Sequence, residues 1–175
     1  MKASLLLPLF AASWLMAADL VVTQGTVKAH TEVFGDSAID PVTTELTSHL
    51  KMDKGIDSIS GSIDAYVNAL KSDNKDRDEH MVETLESAKY PVATYTFDEV
   101  VKTDKGYTIN GNLNFHGVTK PLACAAQFSE KDNNVVLTGN SSFLMSDFKV
   151  VPPKLLFLTV RDQIDLDINI TFEKQ

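Results

Sequence analysis

Gln163-Ile-Asp-Leu-Asp-Ile-Asn-Ile-Thr-Phe172 is the stretch on which the fold turns. Ile164, Leu166, Ile168, Ile170 and Phe172 alternate with Gln163, Asp165, Asp167, Asn169 and Thr171. Successive side chains of a strand point to opposite faces, so this alternation predicts a strand with a core on one side and water on the other. Such half-buried strands belong to antiparallel sheets.

Outward from that segment the same period returns at Tyr107, Ile109, Gly111, Leu113 and Phe115, with Thr108, Asn110, Asn112 and Asn114 facing the other way. Looser forms run through Leu46, Leu50 and Met52, then Ile59, Gly61, Ile63, Ala65 and Val67, then Ala93, Tyr95 and Phe97. Two more follow at Leu122, Cys124, Ala126 and Phe128, and at Val135, Leu137, Gly139, Ser141 and Phe143. With residues 20–28 these make about eight strands. Asp53-Lys-Gly55, Asp104-Lys-Gly106 and Asp132-Asn-Asn134 separate them, and their Gly and Asn accept the positive φ of tight hairpins. The expected class is all-β, an eight-stranded antiparallel meander that closes into a barrel or packs as a sandwich.

Residues 76–89 break the period. Met81, Leu85 and Ala88 fall three to four apart, which predicts a short amphipathic helix. Asp73 or Asn74 serves as N-cap, Asp76 and Asp78 suit the positive end of the dipole, Lys89 suits the other end, and Pro91 stops the helix. One such helix fits the end of a barrel as a cap.

The N-terminus carries Lys2, an apolar run and Ala17-Ala18, the layout of a cleaved secretory signal over residues 1–18. The run is shorter than the roughly 20 residues that usually span a bilayer. The remainder, 19–175, is the size of one domain. Its single cysteine, Cys124, permits no internal disulfide, so the core must hold the fold. A formal net charge of -8 with scattered Lys and Arg argues against nucleic acid as a partner. The expected product is an exported soluble protein of the periplasm.

Several inward positions are small: Gly61, Ala65, Gly111, Cys124, Ala126, Gly139 and Ser141. A packed sandwich would place larger aliphatic side chains there, whereas small ones leave room for a ligand. Periodicity alone leaves open whether Tyr95, Phe97 and Phe115 fill that room.

Arg77-Asp-Glu-His-Met81, Lys89-Tyr-Pro91, Tyr95-Thr-Phe97 and Asn110-Gly-Asn-Leu-Asn-Phe-His-Gly-Val-Thr-Lys-Pro121 resemble, in order and spacing, the YceI family of exported lipid-binding proteins. The resemblance implies a lipocalin-like barrel closed by a helix. It also implies a long-chain isoprenoid of quinone or polyprenyl type, or a similar amphiphile, in the lumen and no other cofactor. On this reading Tyr95, Phe97, Ile109, Leu113, Phe115, Leu122, Cys124, Ala126, Leu166, Ile168 and Ile170 line the cavity, and Arg77, His80, His116 and Asp147 mark its mouth.

No histidine pair has metal-ligand spacing, and Asp73, Asp76 and Asp78 lack the Gly and closing Glu of a calcium loop. Ser141 and Ser142 lack nucleophile-elbow glycines, so no catalytic set is expected. His116 has a structural alternative, tying the Gly117 turn to a backbone group, and Arg77 has one in an ion pair with a neighbouring acid. Residues 150–158 place Pro152-Pro153 before an apolar run, which excludes a central strand and leaves a mobile lid, a membrane contact or a loop folded on the core. The expected activity is carriage or storage of a long-chain lipid, with transient contact to a membrane or membrane protein. An enzyme acting on such a lipid and a stress-related interaction protein with a filled core are the rivals.

Overall fold

The computed structural model describes residues 17–33, 37–155 and 158–175. The leader expected over 1–18 lies outside them except at Ala17 and Ala18, as do Leu156 and Phe157 of the 150–158 segment.

The described residues form twelve strands: β1 (Ala18–Val33), β2 (Ser37–Ile39), β3 (Val42–Thr43), β4 (Leu46–Met52), β5 (Ser60–Tyr66), β6 (Val92–Thr103), β7 (Gly106–Phe115), β8 (Val118–Lys131), β9 (Asn134–Leu144), β10 (Lys154–Leu155), β11 (Leu158–Thr159) and β12 (Gln163–Lys174). Eight of them follow the order β12-β9-β8-β7-β6-β5-β4-β1, and β1 returns to β12, so the sheet closes. Every pairing is antiparallel, as the half-buried alternation requires. Closure leaves no edge among the long strands.

β1 faces an interrupted partner. It pairs with β4 at Ala18↔Met52 and Leu20↔Leu50, with β3 at Val27↔Thr43, and with β2 at Thr31↔Ile39. These pairs keep one register, so β2, β3 and β4 are a single strand broken at two places. Pro41, which has no N–H for a ladder, accounts for one break. Where the β1–β4 ladder stops, the Ser48 hydroxyl accepts from the Val22 N–H at 3.1 Å and donates to the Leu20 carbonyl at 2.5 Å. The sequence pattern shows β4 and misses the two short pieces.

Helix α1 (Lys75–Thr84) starts where expected, with the Asn74 side chain accepting from the Arg77 N–H at 3.0 Å. It ends earlier than residue 89. Glu86 takes a left-handed φ of 43°, its N–H reaches Glu83 O and the Ser87 N–H reaches Val82 O, each at 3.0 Å. That is a Schellman stop built without glycine, so Lys89 lies beyond the helix and not in its last turn. The Lys89 ammonium instead sits 4.7 Å from the centre of the Tyr90 ring.

The interior has two packed ends. Leu20, Leu50, Phe97, Val135 and Phe172 belong to one apolar cluster, which the Ile56–Ser58 turn closes with Ile56. Phe115, Phe148, Val150, Val160 and Ile164 belong to the other, beneath the helix side of the barrel. Val67, expected in a strand, begins a short 3-10 turn at that end. Phe115 and Val118 are joined by a two-residue hairpin turn in which His116 has φ 50° and Gly117 φ 72°.

Candidate functional site

A cavity of about 520 Å³ lies inside the barrel. That falls within the range of roughly 300–1,000 Å³ usual for small-molecule sites. Tyr95, Phe97, Ile109, Leu113, Phe115, Leu122, Cys124, Leu166, Ile168 and Ile170 all line it, brought together because each is an inward position of β6, β7, β8 or β12. Ala126 does not. It is packed into the closed-end cluster at 5 % exposure, one residue pair deeper than Cys124.

The small residues divide in the same way. Ala65, Cys124 and Ser141 border the cavity, whereas Gly61, Gly111 and Gly139 do not. A Cβ at Gly111 would lie 2.8 Å from Tyr95 Cζ, and one at Gly139 would lie 2.9 Å from Cys124 Sγ. These glycines admit a neighbour's side chain instead of opening space for a ligand.

The sequence reading also misses part of the wall. Val27, Ala29 and Thr31 of β1, Ile39, Pro41 and Thr43 opposite them, and Met81 of α1 and Leu85 at its C-cap all line the cavity. For Met81 and Leu85 the signal is their four-residue spacing, which gives the helix its apolar face. For β2 and β3 no periodic signal survives the proline break.

The cavity runs from buried Ile109 and Ile170 to the exposed residues Asn74, Asp76, His80 and Lys154, so it opens between α1 and β10. Arg77 and His80 stand at this mouth. The Arg77 guanidinium is also 3.1 Å from Asp73, one helical turn earlier, and His80 Nδ1 donates to the Asp76 carbonyl at 2.7 Å. His116 and Asp147 are not at the mouth. Asp147 is exposed and 3.8 Å from Lys120 Nζ, while His116 is buried under Tyr90, with ring centres 4.5 Å apart. His116 Nδ1 donates to the Phe148 carbonyl at 3.1 Å and ties the hairpin turn to the 145–148 segment.

Inside the cavity, polar atoms are already engaged. The Tyr95 hydroxyl is 2.7 Å from the Leu122 carbonyl and 3.0 Å from that of Ile109; Thr31 Oγ1 is 3.0 Å from the Arg161 carbonyl; Ser141 Oγ donates to Ala123 at 2.7 Å. Burial pushes the Cys124 thiol up to about 11, against a smaller opposing backbone hydrogen bond from Asn140, and burial likewise pushes the Tyr95 phenol up. Both stay neutral near pH 7, and a neutral thiol is a poor nucleophile. Among the described residues, no three His, Cys, Asp or Glu side chains are grouped to hold a metal ion. The surface offers an incoming molecule shape and apolar contact, with hydrogen-bonding groups at the mouth.

The chain is similar to known proteins in sequence and in fold. A UPF0312 protein of Yersinia enterocolitica is 32% identical over 91 residues, and one of Yersinia pestis 30% identical over the same length. Each match covers 47% of this chain and 47% of the relative, about half the length of both. BcnA of Burkholderia cenocepacia superposes with a TM-score of 0.75 at 14% identity, over 84% of this chain and 95% of that one. A polyisoprenoid binding domain from Saccharophagus degradans, implicated in plant cell wall breakdown, superposes at 0.66 and 11% identity, over 90% and 99%. The YceI protein of Campylobacter jejuni gives 0.65 at 20% identity, over 81% and 89%. The YceI-like domain matches residues 19–172. With that match across almost all of the closed barrel, the chain belongs to the YceI-like family.

Proposed function

We propose that this protein is an exported carrier or store for a long-chain isoprenoid or similar amphiphilic lipid, whose tail lies in the barrel cavity. The observation that carries the reading is an apolar cavity of about 520 Å³ whose interior hydroxyls are bonded to its own backbone. A hydrocarbon tail asks nothing more of its surroundings. Each buried methylene contributes roughly 0.8 kcal/mol, so about ten of them supply roughly 8 kcal/mol before the costs of association and ordering. The Saccharophagus degradans domain, similar in fold, is described as polyisoprenoid binding, which supports an isoprenoid ligand here.

The rival reading as a lipid-modifying enzyme needs a coherent set among Arg77, His80, His116 and Asp147. Arg77 and His80 share the mouth, but His116 and Asp147 face elsewhere. The filled-core reading needs Tyr95, Phe97 and Phe115 to close the interior, and a cavity remains beside them. The apolar leader supports a periplasmic location, where transient contact with a membrane would load or unload the tail.

Mass spectrometry of an organic extract from the purified mature protein tests the reading. The expected result is a long-chain isoprenoid at up to one per chain, or its uptake when added. A clean extract with no uptake of any added isoprenoid contradicts it.

A further inference from the structure

The cavity ends inside the barrel against Phe97 on β6, Ile109 on β7, Leu137 on β9 and Ile170 on β12. The next inward residues of those strands, Val100, Tyr107, Val135 and Phe172, do not border it and belong to the closed-end packing. A tail that enters between α1 and β10 therefore meets a floor. Every methylene short of that floor is buried, and any chain beyond that length must project from the mouth into water.

The floor residues differ in what stands beside them. Side chains directly opposite each other on neighbouring strands pack together. Ile109 is flanked in this way by Val100 and Cys124, and Leu137 by Ile170 and Phe128. Ile170 has Leu137 on one side and Gly25 on the other, where Leu46 Cδ1 lies 2.9 Å from the place of a Cβ. Phe97, the largest of the floor residues, is the one flanked by glycine on both sides, Gly61 of β5 and Gly111 of β7.

Two further observations isolate its ring. The β6–β7 ladder shifts between Phe97 and Glu99, a bulge immediately below Phe97, and bulges re-aim the side chains next to them. Toward the mouth, Tyr95 meets Phe97 edge-on with ring centres 5.5 Å apart, and the Tyr95 hydroxyl is fixed by the Ile109 and Leu122 carbonyls. Neither ladder partner thus has a side chain that could relax into space vacated at Phe97, and Tyr95 is held in place. A hole that its surroundings cannot fill stays open.

We propose that Phe97 is the chain-length determinant of the cavity, the stop against which the far end of the tail rests. The inference rests on the carrier reading and adds the length class of the ligand. Prenyl chains up to the floor gain affinity with every unit, and longer chains gain nothing more inside the barrel.

The test measures the affinity of the mature protein for all-trans prenyl alcohols of rising length, geraniol, farnesol, geranylgeraniol and the longer homologues, which share one head group. On wild type, affinity should rise by up to about fourfold for each further methylene buried and level off once the tail reaches the floor. Phe97→Ala should level off at a longer homologue, and Phe97→Leu, which keeps more of the packing, carries the test if the alanine variant does not fold. Val135→Ala removes packing beneath the floor without bordering the cavity, and should level off where wild type does. Melting temperatures confirm that each protein is folded. A levelling point that stays put in the Phe97 variants, or moves as far in Val135→Ala, overturns the stop and leaves the carrier reading intact. Affinity that climbs through the whole series on wild type does the same. Failure of wild type to bind any of the alcohols overturns both.

Discussion

The Tyr95 hydroxyl on β6 stands 2.7 Å from the carbonyl oxygen of Leu122 on β8, across the whole width of β7. One side chain of the cavity wall thereby pins a strand two places away, and Gly111 on β7 leaves the room for its ring. Tyr95→Phe removes this tie while keeping the ring's shape. The expected loss is about 1 kcal/mol in denaturant unfolding, with lipid content unchanged because the hydroxyl is not offered to the ligand. A loss of lipid without a loss of stability would show that Tyr95 contacts a polar ligand group instead.

Phe148 is 1 % exposed and packs edge-on against Phe115 and Phe143, with ring centres 5.7 and 5.1 Å away. Phe148→Ala should cost about 3–5 kcal/mol, the range for truncating a buried aromatic. Phe148→Leu, which keeps most of the volume, should cost less. Equilibrium urea unfolding of the three proteins checks the order.

His30 gives the stability a pH dependence. Its Nδ1 is 2.6 Å from Asp40 Oδ1 and its Nε2 3.3 Å from Glu32 Oε1, and the bond to Asp40 is the main cause raising its pKa above 6.5. A raised folded pKa stabilises the protein fully below the unfolded value and ceases to do so as pH rises through the folded value. His30→Gln should therefore melt lower than wild type near pH 5.5, and the gap should close toward about pH 8.5. A gap that is constant across this range contradicts the ion pair.

Cys124 reports on the cavity from inside. Its thiol is 3 % exposed and burial holds its pKa near 11, so a thiol reagent at about pH 8 should react slowly with the folded protein. Bound lipid should slow the reaction further, since Cys124 lines the space that the tail fills. Labelling rates with and without added prenyl lipid decide this, and a rate indifferent to lipid would place the ligand elsewhere.

The strands were legible because the pleat imposes alternation on any segment with one wet face, and β7 and β12 carry that mark at nearly every position. The helix start was legible from Asp73 and Asn74 as alternative N-caps, and Asn74 takes the role. Its end was not, because Glu86 adopts the left-handed conformation that sequence reasoning assigns to glycine. Of the two roles the sequence offered His116, the turn-tying one holds and the mouth one does not: its Nδ1 bonds the Phe148 carbonyl, and at φ 50° it turns away from the inward face that Phe115 occupies, with its ring packed on Tyr90 outside the cavity. Gly111 and Gly139 show the limit of reading small residues as space. The same letter that leaves a void also admits a close neighbour, and only the partner across the strand distinguishes them.

The central claim is that a lipid tail occupies the barrel interior, and Ala65 and Ala93 allow a direct test. They face each other across β5 and β6, and both line the cavity. Ala93→Trp should fill the space at a cost of about 1–3 kcal/mol, and the milder Ala65→Leu/Ala93→Leu serves if the tryptophan does not fold. Native mass spectrometry of wild type and the filled variant, with folding checked by circular dichroism, reads lipid occupancy per chain. The account predicts up to one isoprenoid lipid on wild type and none on the folded, filled protein. Equal occupancy on both would contradict it.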